Sequence, residues 1–282
     1  MTQYLVYDVF TDRPFGGNQL AVFPDATGLS EDQLQAIAVE FKFSEITLVY
    51  PPEDPAHTAK VRIFTPTQEI DFAGHPTIGT AIALYDLGRG SDLVLELGVG
   101  PIACTVTPEG AAFTTTAPLS RLSHPDPALV ARALGTSRSA ISATVHGPVQ
   151  ASLGLPFVIV ELTDRAALAH CQPDIAACRD GAQRHPAGLD FAIFAYVREG
   201  AQVDARMFAP LDNIPEDPAT GSACATLAAL LHEDLRQPQT LHITQGEDMG
   251  RTSRITAQSH GDPVQVTISG QAVRVMDGRL LV

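Results

Sequence analysis

Alternation and helical periodicity divide the chain into many short strands and a few helices. Tyr4–Phe10 alternates like a strand, and Gln19–Phe23 reads as a second. Between them Asp12-Arg-Pro-Phe-Gly-Gly-Asn18 is rich in turn formers. Ser30-Glu-Asp-Gln33 has the spacing of a capping box and starts a helix to about Phe41. Ser44–Tyr50 and Lys60–Thr65 are strands, separated by the proline-rich loop Pro51–His57. The run Glu69–Tyr85 reads as a strand end, a sharp turn at Gly74-His75 and an apolar helix opening with Pro76. Proline suits a first helical turn because its missing N–H has no intrahelical partner there. Leu93–Leu97, Ile102–Val106 and Ala112–Thr116 form a meander of strands.

Pro118–His124 reads as a connector, and Pro125–Leu134 as a helix. Patchier strand character covers Ile141–Val149, followed by the apolar strand Leu155–Leu162. Asp164–His170 is a short helical segment and Pro173–Gln183 a helix. Phe191–Val197 and Ala205–Phe208 are strands, Pro210–Thr220 a loop, and Ser222–Leu231 an apolar helix. Leu241–Thr244, Arg254–Gln258, Val264–Ser269, Ala272–Val275 and Arg279–Val282 close the chain as strands.

Two segments read alike. Arg62-Ile-Phe-Thr-Pro66, then Glu69, then Gly74-His75 and a helix is matched by Arg206-Met-Phe-Ala-Pro210, then Glu216, then Gly221-Ser222 and a helix. The flanking strands follow in the same order, at an offset of about half the chain. Two copies are too few for a solenoid. The expected product is an α+β fold of two lobes related by a pseudo-twofold, each burying an apolar helix against a curved sheet. The first lobe is expected to span 1–117, joined by the last strand at 272–282, and the second 118–271. Such a symmetry would bring Gly74-His75 and Gly221-Ser222 face to face across an interlobe cleft. Helix N-termini present unpaired N–H groups and a partial positive charge, so the pair would hold a carboxylate.

Composition narrows the partners. The net charge of −14 argues against nucleic acid and anionic membranes, which need clustered Lys and Arg. A local helix-end site can still bind a small anion. No apolar run approaches the ~20 residues of a membrane-spanning helix, and Met1–Phe10 lacks the basic start of a signal peptide. Cys104, Cys171, Cys178 and Cys224 show no zinc spacing or disulfide framework, which points to the cytoplasm. No metal or phosphate-loop constellation stands out.

Asp8-Val-Phe with Pro14-Phe-Gly-Gly-Asn-Gln-Leu-Ala-Val22, Ser44-Glu45, Arg62–Pro66, Phe72-Ala-Gly-His-Pro-Thr-Ile-Gly79 and Glu216-Asp-Pro-Ala-Thr-Gly-Ser-Ala223 together resemble the PhzF-like family of phenazine biosynthesis proteins. The resemblance implies the diaminopimelate-epimerase-like fold, in which each sheet curls around a central helix. It also implies a homodimer and cofactor-free isomerase chemistry. The type member isomerises trans-2,3-dihydro-3-hydroxyanthranilate with a glutamate as acid and base, and that glutamate falls on Glu45. The family's other catalytic positions fall on His75, Asp217 and Ser222, and its backbone donors on Gly74 and Gly221. One departure is Ile46, where the family commonly has Thr after the glutamate.

The residues themselves fit those roles. Glu45 lies among Phe43, Ile46 and Leu48, and partial burial raises a carboxyl pKa toward working pH. His75 can orient a substrate or relay a proton. Asp217 can hold an amine or hydroxyl, or serve only as a turn residue before Pro218. Ser222 can cap its helix and bind ligand at once, and Asn18 is a candidate substrate contact. A two-cysteine epimerase is excluded, because the helix mouths carry His75 and Ser222, and Cys224 sits inside an apolar helix. The expectation is a cytoplasmic, cofactor-free isomerase shifting a proton on a small cyclic carboxylate. The alternatives are a binding protein without turnover, or another epimerase or lyase on the same scaffold.

Overall fold

A computed structural model describes residues 1–187 and 190–281. The end of the last predicted strand, Val282, lies outside the described residues. The chain forms two compact units, Met1–Thr114 with the stretch from Ser269 onward, and Thr115–Ile268.

The first unit contains β1 (Thr2–Val9), β2 (Asn18–Phe23), α1 (Glu31–Phe41), β3 (Glu45–Tyr50), β4 (Ala59–Phe64), β5 (Glu69–Ile70), α2 (Gly74–Asp86), β6 (Asp92–Leu97), β7 (Gly100–Thr107) and β8 (Gly110–Thr115). The strands lie side by side as β1, β2, β3, β4, β6, β7, β8, with the C-terminal strand Ala272–Leu280 against β1. The β2–β3 and β4–β6 pairs are parallel and the others antiparallel; β5 pairs with β4. Gly74 through Leu84 are all buried, as a helix apolar on every side requires. Gly79 lets α2 ride directly on the sheet: a Cβ there would sit 2.6 Å from Leu20 Cδ2 and 2.7 Å from Val9 Cγ2. On the opposite face Leu34 and Ile37 of α1 close over Val6, Phe23, Ile46, Leu48 and Phe64. The expected capping box starts α1, with Gln33 Oε1 accepting from the Ser30 N–H at 2.9 Å.

The second unit contains β9 (Ser120–Ser123), α3 (Pro127–Ala133), β10 (Val149–Ser152), β11 (Pro156–Glu161), α4 (Arg165–Ala169), α5 (Ile175–Arg184), β12 (Ile193–Glu199), β13 (Gln202–Ala209), β14 (Ile214–Asp217), α6 (Gly221–Leu235), β15 (Gln239–Gln245), β16 (Ser253–His260) and β17 (Gln265–Gly270); the C-terminal strand is β18. The order is β9, β10, β11, β12, β13, β15, β16, parallel at β11–β12 and β13–β15. That repeats the order and senses of the first unit strand for strand. Helix α6 packs against β10, β11, β15 and β16, while α3 and α5 cover the other face through Leu129, Val130 and Cys178.

The repeat extends to side chains. Arg62 makes a two-bond fork to Glu69 at 2.7 Å on each arm and lies over the Phe64 ring. Arg206 does the same with Glu216 at 2.8 Å, over Phe208.

Several element expectations need correction. Pro118–His124 contains an edge strand, β9, whose exposed residues show no alternation. The strand expected over Ile141–Val149 starts only at Val149, because Pro148 has no N–H to pair; Ile141 makes an isolated bridge to Leu162. The Pro210–Thr220 loop includes the edge strand β14, where Pro215 is tolerated. The last two predicted strands are one, β18. Gly278 within it marks a close approach to Tyr4 instead of a turn, since a Cβ there would sit 2.5 Å from the ring.

Candidate active site

Strand alternation sorts β3 into two faces. Ile46 and Leu48 point into the core under α1. Thr47 points the other way and accepts a hydrogen bond from Thr80 Oγ1 of α2 at 2.9 Å. Glu45 shares the Thr47 face and is half-buried beside the start of α2. The Ile46 departure therefore lies on the side of the strand away from the carboxylate, in the packing under α1.

His75 is the second residue of α2. Its Nδ1 lies 3.4 Å from Glu45 Oε2 and 3.5 Å from the side-chain amide nitrogen of Asn18, the first residue of β2. Ser44 Oγ lies 3.5 Å from Asn18 Oδ1. Of the two contacts only that with Asn18 is a hydrogen bond: the amide nitrogen can only donate, so Nδ1 accepts from it and faces Glu45 Oε2 without a bond. Burial pushes the imidazole pKa down to about 3, opposed by the Gln19 backbone. His75 is therefore neutral at pH 7, and its approach to Glu45 is a close polar contact and no ion pair.

Helix α2 begins at Gly74, two residues before the expected Pro76, so His75 stands inside the first turn. Its N-cap is Ala73, which has no side chain to cap with. The N-cap of α6 is Thr220 and not Ser222, which becomes the second helical residue. The Thr220 side chain makes no capping bond either. Both central helices thus start on a glycine, Gly74 or Gly221, with no side-chain cap over their first N–H groups. That leaves two local positive ends suited to an anion.

Asp217 ends β14 and is buried. Thr220 Oγ1 donates to Asp217 Oδ2 at 2.5 Å, which is where the missing cap has gone. Gln245, the last residue of β15 and fully buried, donates from Nε2 to the Asp217 carbonyl at 2.8 Å and to Thr220 Oγ1 at 2.9 Å. Its Oε1 accepts from the Thr220 N–H at 3.1 Å. Cys224, on α6, is fully buried, and burial first, then the Asp217 charge, pushes its thiol pKa well up.

Strand registers equate positions between the units. Ile63 pairs with Ile70 as Met207 pairs with Asp217. Phe64 faces Ile46 as Phe208 faces Ile193, which sets Glu45 against Ala192. By the same registers Asn18 corresponds to Leu155 and Leu97 to Gln245. The matching motifs set Ala73 against Thr220 and His75 against Ser222. The first unit thus has Glu45, His75 and Asn18 where the second has Ala192, Ser222 and Leu155. The second has Asp217, Thr220 and Gln245 where the first has Ile70, Ala73 and Leu97.

Sequence reasoning singled out Asn18, Glu45 and His75, which the structure clusters, and Asp217, Ser222, Gly74 and Gly221 at the two helix starts. It missed Thr220 and Gln245. The second lies 28 residues beyond Asp217, and no local pattern links them. The exchange of Ala73 for Thr220 inside otherwise matching motifs was the available signal.

The family model for "Phenazine biosynthesis-like protein" matches residues 7–278. An uncharacterized isomerase of Mesorhizobium japonicum is 39% identical over 298 residues, covering 99% of this chain and 98% of the relative. The trans-2,3-dihydro-3-hydroxyanthranilate isomerase of Pseudomonas aeruginosa is 34% identical over 290 residues, covering 99% of each. The crystal structure of the Bacillus anthracis phenazine biosynthesis protein of the PhzF family has a TM-score of 0.87 at 25% identity, covering 100% of this chain and 99% of that one.

Proposed function

The chain is an isomerase of the phenazine biosynthesis-like protein family, and on that premise we propose that Glu45 moves a proton between two carbons of a small cyclic carboxylate. The observation that supports this most is the neutral imidazole beside Glu45. A cationic partner at that distance would stabilise the carboxylate and weaken it as a base. A buried neutral histidine leaves Glu45 more basic than a cationic one would. A half-buried carboxylate on one face of a small ring can take a proton from one carbon and return it to another, so one group serves as base and then acid.

The other roles follow from the repeat. The uncapped starts at Gly74 and at Gly221 are each suited to an anionic group such as a carboxylate, with Ser222 adding a hydroxyl at the second. Asp217 holds an amine or hydroxyl of the same molecule, and Asn18 keeps His75 in place. The trans-2,3-dihydro-3-hydroxyanthranilate named for the Pseudomonas relative carries a carboxylate, an amine and a hydroxyl on one ring, which suits these donors and acceptors. Four free, buried thiols favour a reducing compartment such as the cytoplasm. A homodimer is the assembly we infer from the family likeness; sedimentation at monomer mass would count against it. No helix among the described residues is long and apolar enough to cross a membrane.

The test is turnover of trans-2,3-dihydro-3-hydroxyanthranilate in deuterated water. The expected product is an isomer of the substrate, carrying solvent deuterium at the carbon that gains the proton to the extent that protonated Glu45 exchanges with solvent before returning it, and Glu45→Gln is expected to abolish its formation. Full turnover by Glu45→Gln would overturn the assignment.

A further inference from the structure

In the Asp217 cluster the protons of the Gln245 amide and the Thr220 hydroxyl have determined places. Two backbone groups fix the buried amide of Gln245. The Thr220 N–H can only donate, so the atom 3.1 Å from it is Oε1. The Asp217 carbonyl can only accept, so the atom 2.8 Å from it is Nε2. The second Nε2 proton then meets Thr220 Oγ1 at 2.9 Å. With its oxygen accepting there, the Thr220 hydroxyl sends its single proton to Asp217 Oδ2 at 2.5 Å.

We propose that Gln245 is a positioning residue which, through the Thr220 hydroxyl, fixes the orientation of the Asp217 carboxyl as an acceptor for a donor group of the substrate. This rests on the reading of Asp217 as a substrate-binding residue. The repeat separates the role from a packing requirement. In the first unit Leu97 fills the position of Gln245, and it is buried there without difficulty. The fold therefore accepts an apolar side chain at that point of the sheet. Burying an amide there is costly unless all its groups are satisfied. The first unit has lost the three together: Ile70 for Asp217, Ala73 for Thr220 and Leu97 for Gln245. A hydroxyl and an amide that appear only where the aspartate appears serve the aspartate.

Two sets of charged groups on the packed elements are engaged with one another. Arg206 of β13 and Glu216 of β14 are forked together. Glu247 and Asp248, after β15, bind Arg165. Cys224 faces Asp217 from α6 as a thiol that burial keeps protonated.

The experiment follows the carboxyl carbon of Asp217 by NMR in protein labelled with carboxyl-13C aspartate, the resonance being assigned by its absence in Asp217→Asn. A hydrogen bond donated to a carboxylate favours ionisation. The titration midpoint is therefore expected to rise by about one unit in Gln245→Leu and in Thr220→Val, while Thr220→Ser keeps the wild-type midpoint. Thr220→Val preserves both bonds between Gln245 and the backbone, so it reports even if Gln245→Leu fails to fold. An unmoved midpoint in Thr220→Val overturns the proposal. In parallel, kcat/KM on trans-2,3-dihydro-3-hydroxyanthranilate is expected to fall roughly tenfold in both variants. Failure of the unaltered chain to turn that compound over would count against the substrate assignment alone, and the carboxyl titration would still decide the role of Gln245.

Discussion

Nδ1 of His75 lies 3.4 Å from Oε2 of Glu45, and burial keeps the imidazole uncharged in that contact. The ring of this pair therefore carries no charge at physiological pH. The ring proton resonances of His75 are expected to show no titration between pH 5 and 8, and the pH–rate profile no limb from histidine. NMR of the Hε1 signals, compared with His75→Gln, checks this.

The same burial makes the fold acid-sensitive. The folded-state pKa of His75, about 3, lies below the unfolded value near 6.5. The unfolded chain binds the proton first, so the contribution to stability is complete above pH 6.5 and is lost as pH falls toward 3. The expected slope is roughly 1.4 kcal/mol per pH unit in that window. Urea titrations between pH 7 and 4.5 are expected to show a shallower loss for His75→Gln than for the unaltered chain.

The two arginine forks are alike in geometry but not in worth. Arg206 is buried, and its Nη1 also donates to the carbonyls of Leu168, Ala169 and Cys171 at 3.0 to 3.1 Å. Removing it leaves Glu216 and three carbonyls without those donors. Arg206→Ala is expected to cost about 3–5 kcal/mol. Arg62, nearer to solvent and bound to Glu69 and Glu31, is expected to cost no more than about 1 kcal/mol as Arg62→Ala. Denaturant midpoints of the two variants measure the difference.

Gly17 precedes Asn18 with φ +61°, and a Cβ there would sit 2.3 Å from the Val9 carbonyl oxygen. Gly17→Ala is expected to destabilise by roughly 1–3 kcal/mol. Because Asn18 must shift with it, kcat is expected to fall more than substrate affinity. Calorimetry and steady-state kinetics on the same preparation separate the two effects.

Much of this was legible in the residues. Arg62–Pro66 and Arg206–Pro210 announced the duplication because the forks and the rings beneath them are set by local spacing. Glu45, His75 and Asn18 were legible through motifs at element starts. Edge strands were not, because β9 is too exposed to alternate and β14 contains a proline. Gln245 was not, because its partners are brought to it by the parallel pairing of β13 with β15, a tertiary relation without local trace.

The exchange of polar for apolar residues between equivalent positions has an evolutionary consequence. After a duplication, either copy could at first do everything, and each was free to decay where the other sufficed. Glu45 against Ala192 and Asp217 against Ile70 mark where that freedom was spent in opposite directions.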